Sequence, residues 1–458
     1  MKRFDVIVIG SGGGTKIAMP CAKKGMRVAL IEKDDFGGTC LNRGCIPSKM
    51  LIHPAEVADL ASNSQPMGLE IHGDAKLDFS FIMSRIKRDI GDISRENCNA
   101  HKAFPGITYY ADHATFQENH VLQVGSETIT APKIFIGTGS RPQIPDIPGL
   151  DGTPYITSKE ALQLSEPPRS MLVIGAGYIA TELGGAYAIY GSDVHFLVRS
   201  RFLRGVDTDI CEEFENVFKR HCNVHRPFAI ERIAYQDGMF RVHGKENEKT
   251  TAPVEGQTLL VAAGVIPNTD AMGIENTDIQ LTPDGFIRVD AHLQTDVDGI
   301  YALGDCVGNY LFRHSVNYEG EYLMRTAFQD DPNPIDYGPV PYAVFTVPQI
   351  AGVGMTEEQA SILNLPVVTG KASYAESTPG MARASDHGFA KVIFDKSTRK
   401  LLGAHIIGEE ASSMIHLFVA MMQKDGSLDD LMDMIFIHPA LAEVARDAIR
   451  NAAASFAQ

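Results

Sequence analysis

The run Gly37-Gly38-Thr39-Cys40-Leu41-Asn42-Arg43-Gly44-Cys45-Ile46-Pro47-Ser48-Lys49 places two thiols in a glycine-rich turn that enters a helix. A helix amino end and a nearby lysine both lower a thiol pKa, and the thiolate is the nucleophile of sulfur exchange. The pair does not read as half of a metal centre, because no second Cys/His pair stands at ligand spacing. The plain alternative for any two cysteines is burial as small apolar side chains, which is the expectation for Cys21, Cys98, Cys211, Cys222 and Cys306. Seven cysteines in 458 residues, an odd number in a long chain, do not make a secreted disulfide framework. In a reducing compartment a disulfide is more often catalytic than structural.

Sulfur exchange releases a thiolate that needs a proton, and histidine supplies one near neutral pH. His438-Pro439 with Glu443 fits that need, since a carboxylate beyond the proline turn can fix the imidazole tautomer. Alone, a His-Pro pair near a carboxy terminus would read as a helix start; beside the cysteine run it reads as acid–base machinery.

Two glycine clusters follow apolar strand patterns. Phe4 to Ile9 leads into Gly10-Ser11-Gly12-Gly13-Gly14, and Met171 to Ile174 into Gly175-Ala176-Gly177-Tyr178-Ile179-Ala180. Glycines at a first helix turn let backbone approach a pyrophosphate, whose charge sits on the helix amino end. The third glycine position is Thr15 in the first copy and Ala180 in the second. Glu32, ending the strand Arg27 to Ile31, can accept from an adenosine ribose; the alternative is a surface glutamate. After the strand Val194 to Val198, Val198 stands where Glu32 does, followed by Arg199, Arg201 and Arg204. A missing carboxylate removes repulsion from a 2′-phosphate and arginine offers a fork to bind it, favouring NADPH over NADH. A solvated basic loop is the alternative.

Two such units imply two doubly wound α/β domains. Prolines from Arg141-Pro142 to Pro148-Gly149 and at Pro167-Pro168, then Gly264-Val265-Ile266-Pro267, mark the crossings, and Asp331-Pro332-Asn333-Pro334 leads into an α+β tail that includes the strand Ala390 to Phe394. The expected domains are 1–150 and 265–335 for one dinucleotide, 151–264 for the other, and 336–458 for the tail. A hydrophobic fraction of 44% and a charged fraction of 21% suit a globular chain, and a net charge of −16 argues against nucleic-acid or anionic-membrane binding. The amino terminus lacks a signal-peptide pattern and no apolar run is long enough to span a membrane, so the expected setting is cytoplasmic.

The run GGTCLNRGCIPSK resembles the redox-disulfide signature of the FAD-dependent pyridine nucleotide–disulfide oxidoreductases. Gly137-Thr138-Gly139-Ser140-Arg141-Pro142, the GAGYIATE run through Glu182, Gly304-Asp305, and His438-Pro439 with Glu443 are similar to the other motifs of that family, and the resemblance covers nearly the whole chain. It implies FAD and NADP(H) or NAD(H) as cofactors, a carboxy-terminal dimerisation domain, and a homodimer whose two chains share each active site. Residue by residue it makes Cys40 the interchange thiol and Cys45 the thiol facing flavin. It pairs Lys49 with Glu182 near the flavin N5, lays Tyr178 over the nicotinamide pocket and gives Asp305 the ribityl chain. His438 becomes the acid–base group, oriented by Glu443. The implied cofactor-contacting positions also include Gly10, Gly12, Gly14, Glu32, Gly38, Thr39, Lys49, Gly139, Gly175, Gly177, Ile179, Arg199, Arg204 and Gly264; no metal is implied.

Among members, Leu311-Phe312-Arg313-His314-Ser315-Val316-Asn317 and VRSRFLRGVD resemble mycothione reductase. The arginines likewise favour an NADPH-dependent reductase of a low-molecular-weight disulfide, of the mycothione or glutathione reductase kind. Cys45-Ile46-Pro47-Ser48-Lys49 and HPALAE also resemble dihydrolipoamide dehydrogenase, the second reading, although that enzyme usually has a glutamate at the place of Val198. Mercuric reductase and a thioredoxin-reductase type with a terminal redox relay fit less well, because the chain starts at the flavin unit and ends without a cysteine pair. A non-catalytic flavoprotein subunit would need none of Cys40, Cys45 and His438.

Overall fold

The structure, a computed structural model, describes residues 1–71, 77–329 and 333–456. The chain divides into two compact units, Met1–Met50 with Phe81–Gln143 and Gly264–Tyr337, and Leu51–Ser80 with Ile144–Ala263 and Gly338–Gln458. Of the expected turn at Asp331-Pro332-Asn333-Pro334, Asp331 and Pro332 lie outside the described residues, as do Ala457 and Gln458 of the tail.

Strand β1 (Val6–Ile9) is buried along its whole length, as a parallel strand covered on both faces must be. It stops at Gly10, where φ is +94° and a Cβ would stand 2.2 Å from the Gly137 carbonyl oxygen, so no other residue fits. Helix α1 (Thr15–Lys23) then buries Ile17, Ala18, Cys21 and Ala22 and leads to β2 (Val28–Ile31). The close approach of helix and strand falls on Gly14, where a Cβ would meet Gly10 O at 2.2 Å and Val8 Cγ1 at 2.4 Å. Thr15 is therefore no obstacle: it begins the helix, and its hydroxyl donates to Gly12 O at 3.2 Å. The cysteine run is more regular than the expected turn. Gly37, with φ +102°, opens α2 (Gly38–Arg43), and Gly44 separates it from α3 (Cys45–Ser62). Then come α4 (Phe79–Ala103), β3 (Ile107–Tyr110) and β4 (Lys133–Ile136).

The second unit contains β5 (Ser170–Ile174), α5 (Tyr178–Ile189), β6 (Asp193–Leu197), α6 (Thr208–Phe218), β7 (Asn223–His225) and β8 (Thr258–Val261). Its sheet runs β7-β6-β5-β8, all parallel. Gly184 and Gly185 bring α5 close to the sheet, since a Cβ there would lie 2.5 Å from Phe196 and 2.9 Å from Phe218. Phe196, Phe202, Phe214 and Phe218 form one buried aromatic cluster, with Phe202 5.6 Å from Phe196 and from Phe214. Each such ring contributes roughly 1.5–3 kcal/mol by leaving water. Phe202 thereby pins the loop that leaves β6.

In the first unit, β9 (Ile300–Ala302) and α7 (Arg313–Gln329) complete a parallel sheet ordered β9-β4-β1-β2-β3. The second unit adds an antiparallel sheet of β10 (Tyr342–Val344), β11 (Ile350–Gly354), β12 (Val367–Ser373), β13 (Phe389–Asp395) and β14 (Leu401–Ile407), ordered β10-β11-β14-β13-β12. Helix α8 (Ala442–Phe456) packs on it so closely that a Cβ at Gly370 would stand 2.1 Å from Ala448 O. The fold is thus two doubly wound parallel sheets plus a carboxy-terminal α+β domain, and among the described residues no helix is long and apolar enough to cross a membrane.

Candidate active site

In the first unit the strand order reverses between β1 and β4, and the crevice beyond such strand ends is where open α/β sheets bind ligands. A cavity of about 440 Å³ opens there, lined by Gly10, Gly12, Glu32, Gly38, Thr39, Cys40, Cys45, Gly139, Asp305 and Arg313 among others. Its floor is bare backbone at Gly12, Gly38 and Gly139; at Gly139, φ is +68° and nothing lies within 4 Å of an added Cβ. Side chains at these points would fill the space. Glu32 is buried and accepts from Ser11 N–H at 2.9 Å, Ser11 Oγ at 2.7 Å and Asp34 N–H at 2.9 Å, which aims its carboxylate along the groove. Burial raises the Asp305 carboxyl above its ordinary range, while Ser140 Oγ donates to it at 2.6 Å. An elongated cradle of bare glycines with carboxylates along it fits a dinucleotide such as FAD. Gly14 does not line the cavity; it serves the close helix packing.

Cys40 sits inside α2 and Cys45 opens α3, so the break at Gly44 turns the two sulfurs together. The Cys40 thiol is pulled down to about 7, first by the hydrogen bond from Cys45, then by the Arg313 and Lys49 charges, against the opposing cost of burial. Cys45 moves up for the reciprocal reason, since it holds the shared proton. Lys49, one turn into α3, donates to Ser48 Oγ at 3.4 Å.

In the second unit, His438 Nδ1 meets Glu443 Oε1 at 2.9 Å and Oε2 at 3.1 Å, which leaves Nε2 as the outward-facing nitrogen. The His438 side chain is 66% exposed whereas Glu443 is 2% exposed, so a nearly covered carboxylate holds an open imidazole. The Glu443 carboxyl lies below its ordinary range, chiefly through His438 and also through Arg446, which donates to it from the next turn of α8.

Also in that unit, Gly175 (φ +133°) ends β5 and Gly177 caps α5, with open space around its Cα. Tyr178 begins α5 with its ring 6.1 Å from that of Tyr342, and burial raises its phenol pKa; Ile179 is partly exposed. Glu182 is buried on α5 and accepts from Phe345 N–H at 3.0 Å. Lys49 and Glu182 belong to different compact units, and Gly264, with φ +138°, begins the return segment of the first. Beyond β6, Val198 is buried while Arg199, Ser200 and Arg204 are exposed, and Arg204 donates to Ser200 Oγ at 2.6 Å. Arg201 turns the other way, onto Glu358 at 3.0 and 3.1 Å, and is spent there. Sequence reasoning did not assign roles to Ser200, Arg313 or Arg446. An i, i+3 spacing from Glu443 could have flagged the last of these.

With a cysteine pair beside a dinucleotide crevice, a second nucleotide-type sheet and a His–Glu pair on the terminal domain, the architecture defines a nucleotide-linked dithiol enzyme. The chain belongs to the pyridine nucleotide-disulphide oxidoreductases: residues 4–328 match the model of that family and residues 340–449 match its dimerisation domain. It is therefore an oxidoreductase using FAD and NAD(P)H. Among its relatives, it is 32% identical to the dihydrolipoyl dehydrogenase of Chlorobaculum tepidum (98% of this chain, 97% of that protein) and 32% identical to the mycothione reductase of Mycobacterium tuberculosis (98% and 99%). A mercuric reductase of Staphylococcus aureus is 30% identical (96% and 81%). Among solved structures, the HOCl-induced flavoprotein disulfide reductase RclA from Escherichia coli superposes with a TM-score of 0.87 at 29% identity, covering 97% of this chain and 99% of that one.

Proposed function

We propose that this enzyme is an NADPH-dependent reductase of a low-molecular-weight disulfide, working through a Cys40–Cys45 redox pair. The observation that carries this reading is the exit of β6. No carboxylate stands at position 198, and Arg199 with the Ser200–Arg204 pair is exposed there, a cationic seat for a 2′-phosphate. Curated relatives at equal identity include both a dithiol-oxidising and a disulfide-reducing enzyme, so likeness alone does not choose between them.

In this reading Gly10, Gly12, Gly38, Thr39, Gly139, Glu32 and Asp305 hold FAD. Gly175, Gly177, Tyr178, Ile179 and Gly264 serve the nucleotide side. Bound FAD supplies the hydride chemistry that links nicotinamide to sulfur. Lys49 serves the flavin side of the reacting centre and Glu182 the nucleotide side. Two electrons from NADPH convert the Cys40–Cys45 disulfide to a dithiol. The Cys40 thiolate attacks one sulfur of the substrate disulfide, forming a mixed disulfide and expelling a thiolate, which takes a proton from His438 of a second copy. Cys45 then attacks the Cys40 sulfur, which restores the internal disulfide and expels the second thiol. Glu443 holds the imidazole for this transfer. The dyad comes from the other chain of a homodimer built through residues 336–458, with 1–150 and 265–335 as the FAD domain and 151–264 as the nucleotide domain. A cytoplasmic setting suits such thiol chemistry.

The test is anaerobic reduction of the bound flavin by NADPH and by NADH at matched concentrations in a stopped-flow spectrometer. At least tenfold faster reduction by NADPH is expected. Faster reduction by NADH would overturn the reading in favour of NAD-linked dithiol oxidation.

A further inference from the structure

In the antiparallel sheet, Tyr342 of the edge strand β10 stands opposite Gly352 of β11, Gly352 opposite His405 of β14, and His405 opposite Lys391 of β13. Directly opposed residues share a face of a sheet, so these four form one row. Gly352 is the gap in it. A Cβ there would stand 2.5 Å from Tyr342 Cζ and 2.7 Å from His405 Nδ1. The bare glycine lets the Tyr342 side chain lie across β11 and bring its hydroxyl within 3.2 Å of His405 Nδ1. His405 is fully buried, and its Nε2 meets Met355 O at 3.0 Å. A carbonyl oxygen only accepts, so Nε2 carries the proton. In the neutral ring that burial favours, Nδ1 then accepts the Tyr342 O–H.

Both ends of this row reach the nucleotide-binding part of the same compact unit. Lys391 bonds Asp207, the residue that caps α6, at 2.9 and 3.2 Å. At the other end the Tyr342 ring lies 6.1 Å from the ring of Tyr178 and is inclined to it by 30°. Tyr178 is the first residue of α5, directly after the bare turn at Gly177. Tyr342 is thus fixed twice, by β10 at its backbone and by His405 at its hydroxyl, and presents a held ring to Tyr178. We propose that Tyr342, latched to His405 across Gly352, is the positioning residue that seats Tyr178 and so sets how much nucleotide is needed to displace that ring. The inference deepens the proposed function and rests on Tyr178 being the ring that covers the nicotinamide pocket. A contact that favours the covering position lowers the fraction of enzyme open to nucleotide, and apparent affinity falls in proportion.

The experiment follows anaerobic reduction of the bound flavin in the stopped-flow spectrometer over a range of NADPH and of NADH concentrations. Loss of one aromatic contact in Tyr342→Leu should lower the half-saturating concentration about two- to tenfold, with the limiting rate within about twofold of wild type. The shift should appear with both nucleotides, because they share the nicotinamide end. Gly352→Ala, which wedges the latch apart while keeping both partners, should move it in the same direction. In a Tyr178→Leu background, adding Tyr342→Leu should change nothing further. A half-saturating concentration that is unmoved or raised in Tyr342→Leu, or an undiminished effect in the Tyr178→Leu background, overturns the inference alone. An unmoved value in Tyr178→Leu itself overturns the placing of Tyr178 on the nucleotide side and this inference with it. Faster reduction of wild type by NADH would overturn the proposed NADPH preference while leaving the seat to be decided by the variants. If Tyr342→Leu does not fold, Gly352→Ala replaces it under the same criteria.

Discussion

Glu443→Gln keeps the size of the side chain while removing the charge that anchors His438, so it isolates what the carboxylate contributes. Both carboxylate oxygens reach Nδ1, at 2.9 and 3.1 Å, and the group is 2% exposed, so little water competes for it. A hydrogen bond to a charged partner contributes about 1.5–3 kcal/mol. At about 1.36 kcal/mol per tenfold in rate, its loss should slow the thiol-exchange half-reaction about 10- to 150-fold. Flavin reduction by NADPH does not involve the dyad and should stay within about threefold of wild type, a difference of well under 1 kcal/mol. Because the Glu443 carboxyl lies below its ordinary range, the wild-type dyad should remain assembled across the whole of pH 5 to 8. Stopped-flow absorbance separates the two half-reactions: one syringe delivers NADPH to oxidised enzyme, the other delivers disulfide substrate to reduced enzyme. Equal slowing of both halves would refute the acid–base assignment.

Cys45→Ser should abolish turnover and trap substrate as a mixed disulfide on Cys40, visible as a mass increase; unimpaired turnover would defeat the redox reading. Replacing Arg199 and Arg204 together by alanine should cost NADPH about tenfold or more in kcat/KM, since each charge-assisted contact to phosphate contributes about 1.5–3 kcal/mol, with NADH changed little. An unchanged ratio would leave those arginines a surface feature. Lys391→Met should destabilise the fold by about 3–5 kcal/mol in denaturant titration, because Lys391 is 4% exposed and bonds Asp207, Asp209 and Glu357. Asp207 is held below its ordinary carboxyl range by Lys391 despite burial, so this contribution is present above the unfolded carboxyl value of about 4 and fades as pH falls below it. A Lys391→Met variant with wild-type acid sensitivity would contradict that account.

What could be read without coordinates was contiguous in the chain. The β1 and β5 runs with their glycines, the cysteine run, and His438 with Glu443 each fit in a short window, and local sterics and spacing decide their form. Thr15 at the third glycine position leaves the packing intact, because the residue that needs to lack a side chain is Gly14 beside it. Residues whose partners lie far along the chain were less legible. Arg201 looked like its neighbours Arg199 and Arg204 until Glu358 was seen to hold it. Lys391 sits mid-strand in β13, where nothing local announces Asp207. Arg313 stood in a noticed motif, yet nothing local announced that it would line the cavity beside Gly12.

The lock at Lys391 has a consequence for protein engineering. The loop carrying Arg199 and Arg204 is fastened at its far end to the antiparallel sheet, through Asp207 on Lys391, and along its length to the helix Glu357–Ile362, through Arg201 on Glu358. Grafting the nucleotide-binding segment of another enzyme into this chain would remove both anchors at once. It would strand a lysine in the interior of the recipient sheet, so a chimera intended only to change coenzyme would also have to carry over, or redesign, the junction at positions 357, 358 and 391.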